Sequence, residues 1–209
     1  MRILIADDHT LLRQGLKQIL ADEFQNVEFG EAGTSQQTID LLATQRWDVL
    51  LLDINMPGRN GLEVLRETRD RYPALAVLVL SSAPEEQLAV RVLKAGAAGY
   101  LNKQAAPEEL VEAIKKVHSG GRYVGTRLGE KLAAELSRPH PRPQEQLSDR
   151  EFQVMQQLAG GKSLKEIADD LSLSIKTIST FRGRILEKLK LQNNVELAHF
   201  AREHGLMEH

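Results

Sequence analysis

Val49-Leu50-Leu51-Leu52 is the stretch that decides the fold of the amino-terminal half, and Asp53 follows it directly. Four apolar residues that do not alternate with polar ones are typical of a strand that is buried on both faces of a parallel sheet. Val77-Leu78-Val79-Leu80 has the same character and predicts a second central strand.

Apolar runs and helix-like stretches alternate on both sides of this strand. The predicted strands lie at 2–6, 27–31, 49–52, 75–80 and 98–101, and the predicted helices lie near 10–21, 35–45, 60–71, 84–95 and 107–119. Thr34 with Gln37 fits a capping box, and Pro84 and Pro107 suit the first turns of helices. Five strand–helix repeats predict an α/β fold, a doubly wound parallel five-stranded sheet with helices on both faces.

Charged and hydroxyl residues stand at the carboxyl ends of four predicted strands, where sheets of this kind carry their chemistry. Asp7 and Asp8 follow the first strand, Asp53 the third, Ser81 the fourth and Lys103 the fifth. Because clustered carboxylates repel one another, we expect a hard divalent cation with oxygen ligands among them. Mg²⁺ is the candidate, since it is usually held by one or two carboxylates together with a phosphate.

A magnesium site here would include a carboxylate that is available for chemistry. With the metal held by Asp7, Asp8 and the backbone carbonyl of Asn55, Asp53 borders the metal and is free to act as a nucleophile. A carboxylate that attacks a phosphoryl group gives an aspartyl-phosphate.

Lys103 and Ser81 complete the predicted site, because the lysine would neutralise phosphoryl oxygens and the serine would hydrogen-bond one of them. Each residue type also has an ordinary role. An Asp pair before a helix often caps it, an Asp after a strand is often a turn residue, and a loop Ser or Lys is usually solvated. The joint pattern at the ends of four strands is far more specific than any of these residues alone.

Residues 1–120 resemble the receiver domain of bacterial two-component response regulators, which has a flavodoxin-like fold. The matching segments are Ala6-Asp7-Asp8-His9, Leu52-Asp53-Ile54-Asn55-Met56-Pro57-Gly58, Leu80-Ser81 and Gly99-Tyr100-Leu101-Asn102-Lys103. The resemblance implies that a sensor histidine kinase passes a phosphoryl group to Asp53. It also implies that Ser81 and Tyr100 move together as a switch; the alternative for Tyr100 is an interfacial core aromatic.

Gln104 follows Lys103, at a position where some receivers have a cis-proline. The peptide bond between these two residues is therefore either trans or a costly non-proline cis bond.

Charge divides the chain into two parts. Residues 1–120 carry a net charge of -4 and residues 121–209 a net charge of +2, so any nucleic-acid binding is local and belongs to the second part. Prolines at alternate positions within 138–146 predict an extended linker. We divide the chain into a receiver domain at 1–120, a linker at 121–146 and a DNA-binding domain at 147–209.

The second part has the pattern of short helices, which predicts a smaller all-α domain. Capping boxes are predicted at Ser148 and Ser163, and Ser174 is the predicted N-cap of a longer basic helix that runs to about Lys190. A last helix is predicted near 193–204. A short helix, a tight turn and a longer basic helix make a helix-turn-helix arrangement.

The longer basic helix has two predicted faces. Its apolar stripe, at 100° per residue, consists of Ile178, Phe181, Ile185 and Leu189. The opposite face consists of Lys176, Thr180, Gly183, Arg184 and Glu187, flanked by Ser179 and Lys190. This basic face either meets DNA or is simply solvated, and Gly183 either lets the helix approach a groove closely or marks a weakly packed position. Arg182 either snorkels, pairs with an acid such as Glu151, or reaches a phosphate.

Residues 147–201 are similar to the LuxR-type DNA-binding domain, and a receiver joined to this domain is typical of the NarL/FixJ class of transcriptional regulators. The matching segments are Leu147-Ser148-Asp149-Arg150-Glu151, Gly161-Lys162-Ser163-Leu164-Lys165-Glu166-Ile167-Ala168 and Ser174-Ile175-Lys176-Thr177-Ile178-Ser179-Thr180. The resemblance implies that the residues in or beside the major groove are Lys176, Thr177, Ser179 and Thr180. The candidate phosphate contacts are Lys165, Arg182, Arg184 and Lys188.

These features predict a cytoplasmic bacterial response regulator that binds double-stranded DNA and forms a homodimer when it is phosphorylated. It would be a phospho-acceptor rather than a turnover enzyme. The helix near 193–204 is a candidate dimer seam, and simple core packing explains its apolar residues about as well. The sequence has no cysteine, which excludes disulfides and thiolate metal sites, and no apolar run of about 18 residues, so no membrane contact is expected.

Three rival functions were weighed against this one. A phosphohydrolase of the haloacid-dehalogenase kind needs a second Asp two residues after the nucleophile, where this chain has Asn55, which cannot transfer a proton. A flavin- or nucleotide-binding domain needs a phosphate loop after the first strand, where Asp7 and Asp8 would repel phosphates. A regulator that is switched by protein contact rather than by phosphate stays open.

Overall fold

The computed structural model describes residues 1–56, 59–82, 85–125, 129 and 143–206, with the side chains of 85–87 left out. The chain forms two compact units, Met1–Gly129 and Glu130–His209. Pro57, Gly58, Pro84 and most of the predicted linker at 121–146 lie outside the described residues. Within the described residues, no helix has the length and apolarity that a membrane span requires.

The first unit is built on a five-stranded parallel sheet whose order is β2-β1-β3-β4-β5. The strands are β1 Arg2–Ala6, β2 Glu28–Ala32, β3 Val49–Asp53, β4 Ala76–Ser81 and β5 Gly99–Asn102. The helices between and after them are α1 Thr10–Glu23, α2 Ser35–Thr44, α3 Gly61–Arg71, α4 Glu85–Lys94 and α5 Pro107–His118. This architecture confirms the predicted doubly wound α/β fold, and the observed bounds differ from the predicted ones by at most two residues.

The central strand β3 is buried along its whole length, as its unbroken apolar run predicts. On one face of the sheet, Ile5 and Leu51 pack in a cluster with Leu20 of α1 and Ile114 of α5. Alternate residues of the same strands, such as Leu50, are also fully buried, so the other face of the sheet is covered as well. The polar residues of β1, β3 and β4 are therefore confined to the ends of these strands.

The capping box predicted at the start of α2 forms only in part. Oγ1 of Thr34 accepts a hydrogen bond from the backbone N–H of Gln37 at 3.2 Å, as a cap does. Oε1 of Gln37, however, accepts from the backbone N–H of Gly33 at 2.8 Å, one residue before the position that the capping box requires.

The second unit is all-helical among its described residues, as predicted. It contains a 3₁₀ helix at Pro143–Gln146 and the α-helices α6 Asp149–Ala159, α7 Leu164–Asp170, α8 Ile175–Leu189 and α9 Asn194–Glu203. Both predicted capping boxes, Ser148 with Glu151 and Ser163 with Glu166, are complete. The 3₁₀ helix corrects the expectation that the chain stays extended to residue 146, because Gln144 is buried and this short helix packs against α8 of the same unit.

The helix α8 has a broader buried surface than one apolar stripe. Ile178, Ile185 and Leu189 are buried as predicted, Phe181 is half-buried, and Leu186, outside the predicted stripe, is buried too. Both α6 and α7 pack against α8, so the buried arc must cover two neighbours. The helix begins at the N-cap Ser174, whose Oγ accepts from the backbone N–H of Thr177, and ends at Lys190 in the left-handed conformation with φ 57°.

Candidate functional site

The carboxyl ends of β1 and β3 bring two buried carboxylates together. These strands pair in parallel register, and Asp7 and Asp53 are 0% and 1% exposed. Ligand atoms of Asp7, Asp8, His9 and Asp53 lie within 4.8 Å of one another. The structure thus gathers the three predicted acids at one end of the sheet.

Lys103 reaches this acidic cluster from the end of β5. Its Nζ lies 2.6 Å from Oδ2 of Asp7 and donates a hydrogen bond of 2.7 Å to Oδ2 of Asp53. Burial alone would lower the pKa of Lys103, but the attraction and hydrogen bonds of Asp53 and Asp7 outweigh it, so the pKa is raised. The ammonium therefore stays charged between the two acids.

The environment of Asp53 disfavours its ionised form. Burial raises the pKa of Asp53 above its usual value, and the attraction of Lys103 and the hydrogen bond from the backbone N–H of Asn55 offset only part of this effect. The negative charge of Asp7 raises the pKa further. A second cation at this point would favour the carboxylate form.

The oxygen donors fit a hard divalent cation. Oδ2 of Asp7 is buried, and no described group directs a well-aligned hydrogen bond to it, although Lys103 lies close by. Asp8 is exposed beside it and supplies another carboxylate. Several carboxylate oxygens gathered around one buried carboxylate oxygen are the ligand set that Mg²⁺ takes in proteins. Asn55, whose carbonyl is the remaining predicted ligand, lies two residues after Asp53 at the same strand end.

The two predicted switch residues lie on the neighbouring strands. Ser81 is buried at the end of β4, opposite Asn102 of β5, and its carbonyl accepts from the backbone N–H of Lys103 at 2.9 Å. Tyr100 is fully buried in β5. The peptide bond between Lys103 and Gln104 is trans, which decides between the two alternatives that the sequence left open.

Two residues of this site were not predicted from the sequence. Nδ1 of His9 lies 2.8 Å from Oδ1 of Asp8 and 3.1 Å from Oδ1 of Asp7, so an imidazole borders the acidic cluster. Its position directly after the Asp pair was the available signal. Arg13 of α1 donates to the backbone carbonyl of Asp7 at 2.6 Å and pairs with Glu31 of β2, and no sequence pattern indicates that contact.

A second candidate surface lies on α7 and α8 of the helical unit. The exposed members of the predicted DNA-contacting set are Lys165, Lys176, Ser179, Thr180, Arg184 and Lys188. Thr177 is half-buried, and its Oγ1 lies 2.8 Å from Oγ of the N-cap Ser174. The exposed cations give this surface the charge that a phosphate backbone requires.

The side chains of the other two predicted phosphate contacts, Lys188 and Arg182, already pair with groups inside the helical unit. Nζ of Lys188 lies 2.6 Å from Oε2 of Glu151, which is buried, and also donates to the carbonyl of Gln146 at 3.3 Å. Nε of Arg182 donates to Oδ1 of Asn194 at 2.6 Å. Of the alternatives left open for Arg182, pairing with Glu151 is not the one seen, because Lys188 takes that acid and Arg182 contacts Asn194 instead. Neither contact favours a phosphate role.

Comparison with known proteins finds related sequences along the whole chain. Residues 3–115 match the family described as response regulator receiver domain, and residues 145–201 match the bacterial regulatory proteins of the luxR family. The response regulator UvrY of Escherichia coli K12 is 38% identical over 208 residues, which cover 99% of this chain and 95% of UvrY. The response regulator GacA of Pseudomonas aeruginosa is 37% identical over 210 residues, which cover 100% of this chain and 98% of GacA.

A solved structure is similar as well. RcsB from Salmonella enterica serovar Typhimurium, bound to the promoter rprA in the presence of the phosphomimetic BeF3-, matches with a TM-score of 0.69 and 29% identity. The match covers 96% of this chain and 97% of the RcsB chain.

Proposed function

The chain belongs to the NarL/FixJ class of response regulators, in which a receiver domain is joined to a LuxR-type DNA-binding domain, and from this premise we propose that it is a phosphorylation-controlled transcription factor. The proposed parts are a receiver at 1–120, a linker at 121–146 and a DNA-binding domain at 147–209. The proposal rests on the contact of one lysine, Lys103, with two buried acids, Asp7 and Asp53, at the carboxyl ends of the strands.

Asp53 is the proposed phospho-acceptor, and a sensor histidine kinase is the proposed donor. A carboxylate oxygen of Asp53 forms a bond to phosphorus while the P–N bond of the donor's phosphohistidine breaks, and the imidazole nitrogen keeps the electron pair. Lys103 then neutralises a phosphoryl oxygen, for which it already stands 2.7 Å from Asp53. Ser81, buried at the next strand end, hydrogen-bonds another.

The acidic cluster supports a resident Mg²⁺, which would be held by Asp7, Asp8, Asp53 and the backbone carbonyl of Asn55. When bound, this ion supplies positive charge against the phosphoryl oxygens, where the carboxylates alone would repel them. His9 borders the same oxygens and positions the Asp pair by its contacts with Asp7 and Asp8.

Phosphorylation is proposed to act on the DNA-binding domain through a change in packing. An aspartyl-phosphate carries about -1.5 to -2 charges beside Lys103, in place of the single charge of the carboxylate. Ser81 and the buried Tyr100 then move together, which alters the surface formed by the last strands and helices of the receiver and favours a homodimer. A dimer reads two half-sites roughly 34–36 Å apart and converts weak single-site binding into specific binding.

The proposed DNA interface is the exposed surface of α7 and α8. Lys176, Thr177, Ser179 and Thr180 would lie in or beside the major groove. Lys165 and Arg184 are the proposed phosphate contacts, whereas Lys188 and Arg182 would contact phosphate only after leaving Glu151 and Asn194.

One experiment tests both halves of the proposal. The full chain is incubated with Mg²⁺ and a small phosphodonor such as acetyl phosphate, and the covalent label is measured by mass spectrometry. Wild type and Lys176→Ala should be labelled and Asp53→Asn should not, and Lys176→Ala should bind duplex DNA more weakly. Equal labelling of wild type and Asp53→Asn would overturn the phospho-acceptor assignment.

A further inference from the structure

The amino-terminal turn of α8 exposes half of a large apolar side chain. Ile175, the first residue of this helix, is 50% exposed. It is one of three large hydrophobic residues that are exposed among the described residues, the others being Leu11 and Val195. Ile175 is the one that stands on the helix proposed to enter the major groove.

The polar side chains next to Ile175 are partly committed to the helix itself. Thr180 uses its hydroxyl hydrogen on the backbone carbonyl of Lys176, at 3.0 Å. Thr177 shares its hydroxyl with the N-cap Ser174, at 2.8 Å. Two of the four proposed base-reading residues therefore have their hydroxyl groups engaged, which reduces the hydrogen-bonding capacity of this end of the helix.

What the turn does offer to a groove is a mixed surface of one apolar and two polar groups. Ile175 and Ser179 are four residues apart, so they are neighbours on one face of the helix, and Lys176 adjoins them. Ser179 and Lys176 are exposed. The positive charge of Lys176, with that of Arg184 one turn beyond Thr180, complements a phosphate backbone and favours DNA over an apolar protein partner.

We propose that Ile175 is a specificity-determining residue that packs against the C5-methyl group of a thymine in each half-site. The inference rests on the proposed DNA-binding function and deepens it. Residues at the amino-terminal end of a recognition helix contact base edges, and thymine is the base that presents a methyl group in the major groove, where apolar side chains contact it.

Replacing thymine by deoxyuridine removes this methyl group and leaves every hydrogen-bonding group in place. Duplexes that bind the full wild-type chain are selected from random DNA, and each thymine is then replaced in turn by deoxyuridine. At one position in each half-site, wild type should bind the deoxyuridine duplex about fourfold more weakly, as expected for the loss of one buried methyl-sized group. Ile175→Ala should bind both duplexes equally, and Ile175→Val should keep part of the preference.

Leu11→Ala is the matched control, because it removes an exposed leucine from the other unit and should keep the full wild-type preference. Circular dichroism of Ile175→Ala establishes that the variant is folded, and Ile175→Val supplies a second test if it is not. The proposal is overturned if wild type shows no thymine preference, if Ile175→Ala keeps that preference, or if Ile175→Ala changes only self-association. Failure of wild type to select any duplex would instead overturn the DNA-binding function itself.

Discussion

The ammonium of Lys103 lies 2.7 Å from Oδ2 of Asp53, although the two residues are fifty positions apart in the chain. The same nitrogen lies 2.6 Å from Oδ2 of Asp7, so one cation neutralises two buried acids from different strands. Removing it would leave these acids facing each other and would deprive an incoming phosphoryl group of its nearest positive charge.

Lys103→Met should therefore slow the labelling of Asp53 by a small phosphodonor roughly 100-fold, the usual effect of losing one group that stabilises developing negative charge. Lys116→Met, on the exposed surface of α5, is the control and should be labelled at the wild-type rate. The rate is measured by intact-protein mass spectrometry. Equal rates for the two variants would exclude Lys103 from the phosphoryl site.

Asp53→Asn should raise the thermal midpoint of the receiver unit in metal-free buffer at pH 7. Because burial raises the pKa of Asp53, its ionised form opposes folding at neutral pH, and an amide removes that effect while it can still accept from the N–H of Asn55. The penalty is present above the raised pKa and disappears as the pH falls through it. The difference between variant and wild type should therefore shrink in acid.

Mg²⁺ should make wild type more stable than Asp53→Asn, the reverse of the order expected in metal-free buffer. At about 100 times its dissociation constant, the ion should stabilise wild type by about 2.7 kcal/mol, and Asp53→Asn by less, because a ligand has been removed. Calorimetric scans with Mg²⁺ and with a chelator measure both effects. A cation response that is the same in both proteins would show that Asp53 does not border the metal.

The two capping boxes of the helical unit should differ in their contribution to stability. Glu151 is buried and pairs with Lys188, whereas Glu166 caps its helix on the surface. Glu151→Ala should destabilise the unit by about 2 kcal/mol, since it removes a buried carboxylate that accepts hydrogen bonds from Lys188 and from the backbone N–H of Ser148. Glu166→Ala is the matched control and should have a much smaller effect in the same urea titration. Similar losses would show that capping alone, rather than the ion pair, gives Glu151 its effect.

The pH dependence of this ion pair has a definite sign. Burial would raise the pKa of Glu151, but the hydrogen bonds from Lys188 and from the backbone of Ser148 outweigh it and lower the pKa. Its contribution is therefore present above the usual glutamate pKa and is lost as the pH falls through the lowered one. The advantage of wild type over Glu151→Gln should be constant near pH 7 and vanish at the acid end of a pH series.

Much of this fold could be predicted because its signals are local. An unbroken run such as Val49-Leu50-Leu51-Leu52 can be satisfied only by burial on both faces, and parallel strands then bring their carboxyl ends to one edge. The convergence of Asp7, Asp53 and Lys103 follows from that topology without knowledge of any side-chain conformation.

The partners of the long cations could not be predicted, because they depend on how helices pack. Lys188 faces Glu151 only because α8 lies against α6, and Arg182 meets Asn194 only because α9 begins beside it. Helical periodicity gives the direction of a side chain, but it does not give the identity of the neighbouring helix. For the same reason the burial of Leu186 was not predicted.

These packing contacts predict different salt dependences for two cations of α8. Arg184→Gln should reduce the slope of log K against log salt by about 0.9, the value for one lost phosphate contact. Lys188→Gln should leave the slope unchanged and lower the stability of the helical unit instead, because its ammonium is held by Glu151. Fluorescence anisotropy over a salt series measures both slopes. A reduced slope for Lys188→Gln would restore its assignment as a phosphate contact.

Gly183 and Gly15 are both exposed glycines inside helices, but only Gly183 lies on the proposed DNA-binding surface. Both are exposed residues inside helices, and at both a Cβ atom would have no described neighbour within 4 Å. Nothing inside either unit therefore requires a glycine, and alanine at either position should stabilise the protein by about 0.5–1 kcal/mol. Gly183, however, lies on the face of α8 that carries Lys176 and Thr180.

The two alanine variants should consequently differ in their affinity for DNA. Gly183→Ala should raise the thermal midpoint yet weaken binding to selected duplexes several-fold, because a methyl group would hold the helix away from the groove. Gly15→Ala should raise the midpoint and leave the affinity unchanged. Opposite changes in stability and affinity at one position are not expected from a folding defect, since such a defect lowers both. If Gly183→Ala binds as tightly as Gly15→Ala, the glycine serves no close approach and the basic face of α8 stands farther from the bases.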